Sequence, residues 1–124
     1  MVESILGFAL DCPDADADAL ADFYVRLLGW KKTLSGGGWA GIHSPQGIIL
    51  AFQTVEGYVP PVWPWKEGEQ QQMAHIDFLV ENLPEAEALA LKWGAKKAEL
   101  QYYDTSTVML DPAGHPFCLS TIQQ

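Results

Sequence analysis

The chain has 124 residues, 48% of them hydrophobic, which fits one domain with a real core and excludes two independently folded ones. Its formal net charge of −9 argues against a nucleic-acid backbone or an anionic membrane surface as partner, because both need clustered Lys and Arg. No apolar run approaches the roughly 20 residues of a membrane span and no signal-peptide pattern opens the chain, so a cytoplasmic protein is expected, with Cys12 and Cys118 as free thiols.

Ile5 to Cys12 is a short apolar run stopped by Pro13 and Asp14, and it predicts a strand. Asp16 or Asp18 is the expected N-cap of a helix, and Asp22 keeps negative charge near its start. Leu20, Phe23, Tyr24, Leu27 and Leu28 recur at helical spacing, and Gly29 is the stop. Trp30 to Leu34, Trp39 to His43 and Ile48 to Val55 read as three strands, broken by Ser35-Gly36-Gly37-Gly38 and Ser44-Pro45-Gln46-Gly47. Residues 56–72 form a loop with Pro60, Pro61, Pro64, Trp63 and Trp65; two tryptophans favour packing over disorder.

Beyond the loop the same order returns. Ala74 to Val80 predicts a strand, and Pro84 sits in the first turn of a helix with a face of Ala86, Leu89, Ala90 and Trp93, ended by Gly94. Lys97 to Tyr102, Thr107 to Leu110 and Pro116 to Ile122 predict three more strands. The turn Asp111-Pro112-Ala113-Gly114 answers Ser44-Pro45-Gln46-Gly47 at an offset of 67 (111 − 44), Gly94 answers Gly29 at 65 (94 − 29), and Asn82 answers Asp14 at 68 (82 − 14). A near-constant offset across three landmarks marks an internal duplication. The expectation is an α+β fold of two tandem βαβββ units, 1–55 and 73–124, joined by the 56–72 loop. With helices on one face only, the uncovered faces would curl into a half-barrel whose mouth is the natural place for a pocket.

Three strings carry a family resemblance: His75-Ile76-Asp77-Phe78-Leu79-Val80-Glu81-Asn82, the helix end Trp93-Gly94-Ala95, and Asp111-Pro112-Ala113-Gly114-His115-Pro116-Phe117-Cys118-Leu119. With them the chain resembles, over essentially its whole length, the vicinal oxygen chelate superfamily of glyoxalases, bleomycin-resistance proteins and dioxygenases, and its glyoxalase-like branch in particular. The resemblance implies a metal ligand on the first and last strand of each unit. Mapped one by one, those positions hold Gly7 and Ala51 in the first unit and His75 and Cys118 in the second. Two protein ligands fall short of the three that a catalytic metal normally has. Asp77 follows His75 by two residues, which strand geometry places about 6–7 Å further along.

The expected cofactor is therefore none, with a divalent metal on His75 and Cys118 as the alternative. The expected function is metal-independent binding of a small aromatic or cationic molecule, the alternative a metal-dependent lyase, isomerase or dioxygenase. A third reading makes the fold only a dimerising regulatory sheet. The candidate ligand-binding residues are Trp39, Ala51, Gln53, Trp63, Trp65, His75, Asp77 and Cys118. Gly7, Ala9 and Ala51 are small and share the mouth-facing parity, which suggests an opened cavity opposite a polar wall of His75, Asp77 and Cys118. Each also has a plain structural role: His75 as a satisfied half-buried histidine, Cys118 as a small buried hydrophobe, the aromatics as core. His115 is expected to cap its turn and His43 to be exposed. The proline-stiffened Trp63 and Trp65 suggest an aromatic lid. A homodimer is the expected assembly.

Overall fold

The computed structural model describes residues 1–121, and divides after Tyr58 into two compact units. In the first, β1 (Gly7–Cys12), α1 (Ala17–Leu28), β2 (Lys31–Gly36), β3 (Trp39–His43) and β4 (Ile49–Thr54) form a sheet of order β1-β4-β3-β2. In the second, β5 (Ile76–Leu79), α2 (Leu83–Lys92), β6 (Lys96–Lys97), β7 (Ser106–Leu110) and β8 (Pro116–Ser120) form a sheet of order β5-β8-β7-β6. Both are βαβββ units in which the first strand pairs parallel with the last and the remaining pairs are antiparallel. The fold is α+β.

The duplication is visible bond by bond. Ser44 N donates to Ile48 O and Gly47 N to Ser44 O; Asp111 N donates to His115 O and Gly114 N to Asp111 O, each 67 positions on. The side chains differ. Ser44 Oγ accepts from Ile48 N, whereas buried Asp111 accepts from the backbone of Ala113 and His115 and from His115 Nδ1 at 2.8 Å. His115 is thus the turn cap that its position suggests.

Alternation sorts the strands into two faces. Leu50 and Phe52 of β4, with Ala40 and Ile42 of β3, are buried under Leu20, Phe23 and Tyr24 of α1, where Tyr24 stacks on Phe52 with ring centroids 5.5 Å apart. In the second unit Met109, Phe117 and Leu119 are buried on the α2 side. α2 offers the sheet only Ala90 as a fully buried residue, and Leu89, expected on its core face, is 37% exposed. The small side chain at the contact leaves the larger one at the rim.

Several expectations need correction. α1 begins after Asp16 without a side-chain cap bond; Asp18 and Asp22 instead hold Lys32 at 3.3 and 2.7 Å. β1 starts at Gly7 and β5 at Ile76, so Ile5 and Ala74 lie outside the strands. His43 is half-buried and shares a hydrogen bond with Thr33 at the bulge of β2. The strand expected over Lys97 to Tyr102 shrinks to Lys96–Lys97, because the Gln101 amide bonds Val108 N and Val108 O, and the pairing stops after the bond from Ala98 N to Val108 O. β8 ends at Ser120, and Ile122 is outside the described residues. No helix among the described residues is long and apolar enough to cross a membrane.

Candidate functional site

The faces away from the helices carry nearly all the residues singled out in the sequence. In the second unit, register pairs Asp77 with Cys118, and Cys118 with Val108. His75 lies one residue ahead of β5 on the same parity, and its Nε2 stands 3.1 Å from Asp77 Oδ1. The two-residue strand spacing applies to the backbone; the imidazole leans along the chain and closes the gap. Donor atoms of His75, Asp77 and Cys118 all lie within 4.8 Å of one another.

Asp77 is the centre of this cluster. It faces the imidazole on one side and accepts from the Cys118 thiol on the other. Burial, then the charge of Asp77 and its hydrogen bond, push the Cys118 thiol up to about 11. The thiol therefore stays protonated at neutral pH, and a thiolate nucleophile is not prepared here. An order of Cys, Asp, His also differs from the nucleophile, base, orienter sequence of a catalytic triad. Iodoacetamide should modify Cys118 slowly at neutral pH, with a rate that climbs toward pH 11, and Asp77→Asn should move that profile to lower pH. A midpoint at the ordinary thiol value of 9.0, unmoved in Asp77→Asn, would contradict the hydrogen bond.

In the first unit the equivalent row is Ala9, Ala51 and Gly41. Ala51 is half-buried and Ala9 exposed. Gly7, the repeat equivalent of His75, does not open a cavity as its size suggests: a Cβ there would stand 2.1 Å from the carbonyl oxygen of Ile49. Glycine marks a close approach of two backbones. The next row holds Asp11, Gln53 and Trp39, with Gln53 Nε2 donating to Asp11 Oδ1 at 2.7 Å. Asp11 escaped sequence reasoning, although its parity with Gly7 and Ala9 was there to be read. A hollow of about 260 Å³ lies nearby, between Asp14 and Asp18 on one side and Gly36, Gly38, Trp39 and Thr54 on the other. Its Asp18 carboxylate is taken by Ser35 and Lys32, which hold it below the usual carboxylate range.

Trp63 and Trp65 belong to the second unit. Trp63 is half-buried, edge-on to Tyr102 with centroids 6.2 Å apart, and precedes a cis bond to Pro64. Trp65 is 49% exposed and donates its indole N–H to Glu69 O at 2.9 Å, closing its own loop.

Two sheets of this topology, each behind one helix, define the vicinal oxygen chelate class, and solved structures of that class match over nearly the whole chain. A glyoxalase/bleomycin resistance protein/dioxygenase family enzyme from Burkholderia phytofirmans has a TM-score of 0.69 at 16% identity, covering 94% of this chain and 97% of that one. A glyoxalase family protein from Enterococcus faecalis has 0.68 at 20%, covering 95% and 97%. A fosfomycin resistance protein from Listeria monocytogenes, solved with Mn(II) and dihydroxypropylphosphonic acid, has 0.70 at 12%, covering 99% and 93%. No curated protein matches the chain. The model of the glyoxalase-like domain matches residues 7–120, and the chain belongs to that family.

The first unit lacks the donors for the metal that this fold family implies. Gly7 and Ala51 offer no side-chain donor in the first unit, and Ile49 O fills the place of a Gly7 side chain. In the second unit Asp77 adds a third donor, but it already serves the imidazole and the thiol.

Proposed function

We propose that this chain binds a small aromatic or cationic molecule on its uncovered sheet faces without a resident metal, as a sequestering protein in antibiotic resistance or natural-product handling would. The carrying observation is the geometry of the His75, Asp77 and Cys118 cluster: one carboxylate lies 3.1 Å from the imidazole and accepts from the thiol, which supports a hydrogen-bonding surface. Mechanism then reduces to equilibrium capture. Asp77 and His75 orient polar groups of the ligand, and Trp63 and Trp65 of the same unit supply apolar area.

A second reading, a metal-assisted lyase, isomerase or dioxygenase, is favoured by the three donor atoms within 4.8 Å of one another. Elemental analysis and native mass spectrometry of the protein as purified separate the two. The expected result is no stoichiometric metal, a co-purified organic mass, and a dimer of the 13.7 kDa chain. Calorimetric titration with zinc, nickel, manganese and iron(II) should show no submicromolar site; one tight site per chain, abolished by His75→Ala, would establish the metal reading instead.

A further inference from the structure

Asp11, Gln53 and Trp39 stand side by side across three adjacent strands: Asp11 is the register partner of Gln53, and Gln53 of Trp39. All three have the parity of the face that α1 leaves uncovered. The row beside them, Ala9, Ala51 and Gly41, carries nothing larger than a methyl group, so no bulky side chain rises between this row and the one beyond. Gln53 Nε2 donates to Asp11 Oδ1 at 2.7 Å, which holds the carboxylate in place with a neutral donor. The ion pairs of Lys32 and Lys97 go to other carboxylates, and none among the described residues reaches Asp11. Trp39, next along, is 43% exposed.

A fixed carboxylate without a cationic partner, in line with an accessible indole, is the chemistry that recognises an organic cation: the carboxylate takes the charge and the ring takes the adjoining hydrocarbon or the cation itself. Neighbouring strands lie about 4.8 Å apart, so the row spans roughly 10 Å from Asp11 to Trp39, the length of an arylalkylamine. We propose that this row is a subsite for an alkyl- or arylalkylammonium group, with Asp11 reading the charge, Gln53 positioning the carboxylate and Trp39 covering the apolar part. The inference rests on the binding function above and names the charge class of its ligand.

The test uses phenethylamine, cationic at neutral pH, against phenethyl alcohol, its neutral counterpart of nearly equal size. Both are titrated into the ¹⁵N-labelled full chain and followed by nuclear magnetic resonance. The amine is expected to shift the Trp39 indole and Gln53 side-chain amide signals and to bind about tenfold tighter than the alcohol, from one charge contact and one cation–π contact. Asp11→Asn should bring the two within about twofold of each other, and Trp39→Ala should weaken both. Equal binding of amine and alcohol by the native chain would overturn the proposal, as would shifts confined to other residues. If the amine preference survives Asp11→Asn and disappears in Asp77→Asn, the charge is read in the second unit: this inference falls while the binding function stands.

Discussion

Gly7→Ala is expected to destabilise the protein by about 3 kcal/mol, the upper end of what overpacking costs. A methyl at this position would sit 2.1 Å from Ile49 O, 2.8 Å from Ile49 C and 2.9 Å from Ile49 Cβ. None of these is the movable end of a side chain. Relief requires β1 to back away from β4, and the bond from Ile49 N to Leu6 O, 3.0 Å long, lies at that point. Urea unfolding of native and Gly7→Ala chains reads the difference as a lower midpoint at unchanged slope. A shift worth less than about 0.5 kcal/mol, typical of an ordinary surface position, would show that the two backbones are free to separate. Gly7→His carries the same methylene and should be at least as harmful. The first unit therefore cannot take a histidine where the second unit has His75 without rebuilding the strand pair.

Asp111→Ala is the second large effect expected, again about 3 kcal/mol, the order seen when one partner of a buried charged pair is removed. The Asp111 side chain is fully buried and accepts from Ala113 N at 2.9 Å, His115 N at 3.0 Å and His115 Nδ1 at 2.8 Å. Truncation removes the Asp111 acceptor from two backbone N–H groups and an imidazole in a site from which water is largely excluded. Asp111→Asn keeps the acceptor oxygen for the turn and should recover part of the loss. Ser44 holds the corresponding turn with a single side-chain acceptor bond, so Ser44→Ala should cost only about 1 kcal/mol. Thermal and urea unfolding of the three variants give the ranking; equal losses for Asp111→Ala and Ser44→Ala would mean that the extra bonds of Asp111 add nothing.

The repeat was legible because its punctuation is chemical. Pro, Gly and a Ser or Asp acceptor define a turn whatever surrounds them, and so the two turns and the strands that flank them stand where the sequence places them. β3 is found at Trp39–His43 as expected. Where side chains replace backbone partners the sequence is silent. Nothing in residues 97 to 102 announces that Gln101 will bond Val108 through its amide, because that contact depends on a chain reversal over seven residues. The candidate site was legible by parity: His75, Asp77 and Cys118 were assigned to one face, and their donor atoms meet there. What parity cannot supply is distance. It placed Gly7 on the open face and said nothing of the Ile49 carbonyl lying against it.

The Gln101 amide has a consequence for how this protein keeps to itself. A two-residue β6 would leave the outer edge of β7 with its amide hydrogens and carbonyls turned outward, ready to template a strand from another chain. Val108 N and Val108 O are instead capped in place by one side chain, at 2.8 and 2.9 Å, and Ala98 N adds a bond to the same carbonyl at 3.1 Å. A passing strand finds that stretch already occupied, and recruitment into edge-to-edge aggregates is blocked there without lengthening the sheet.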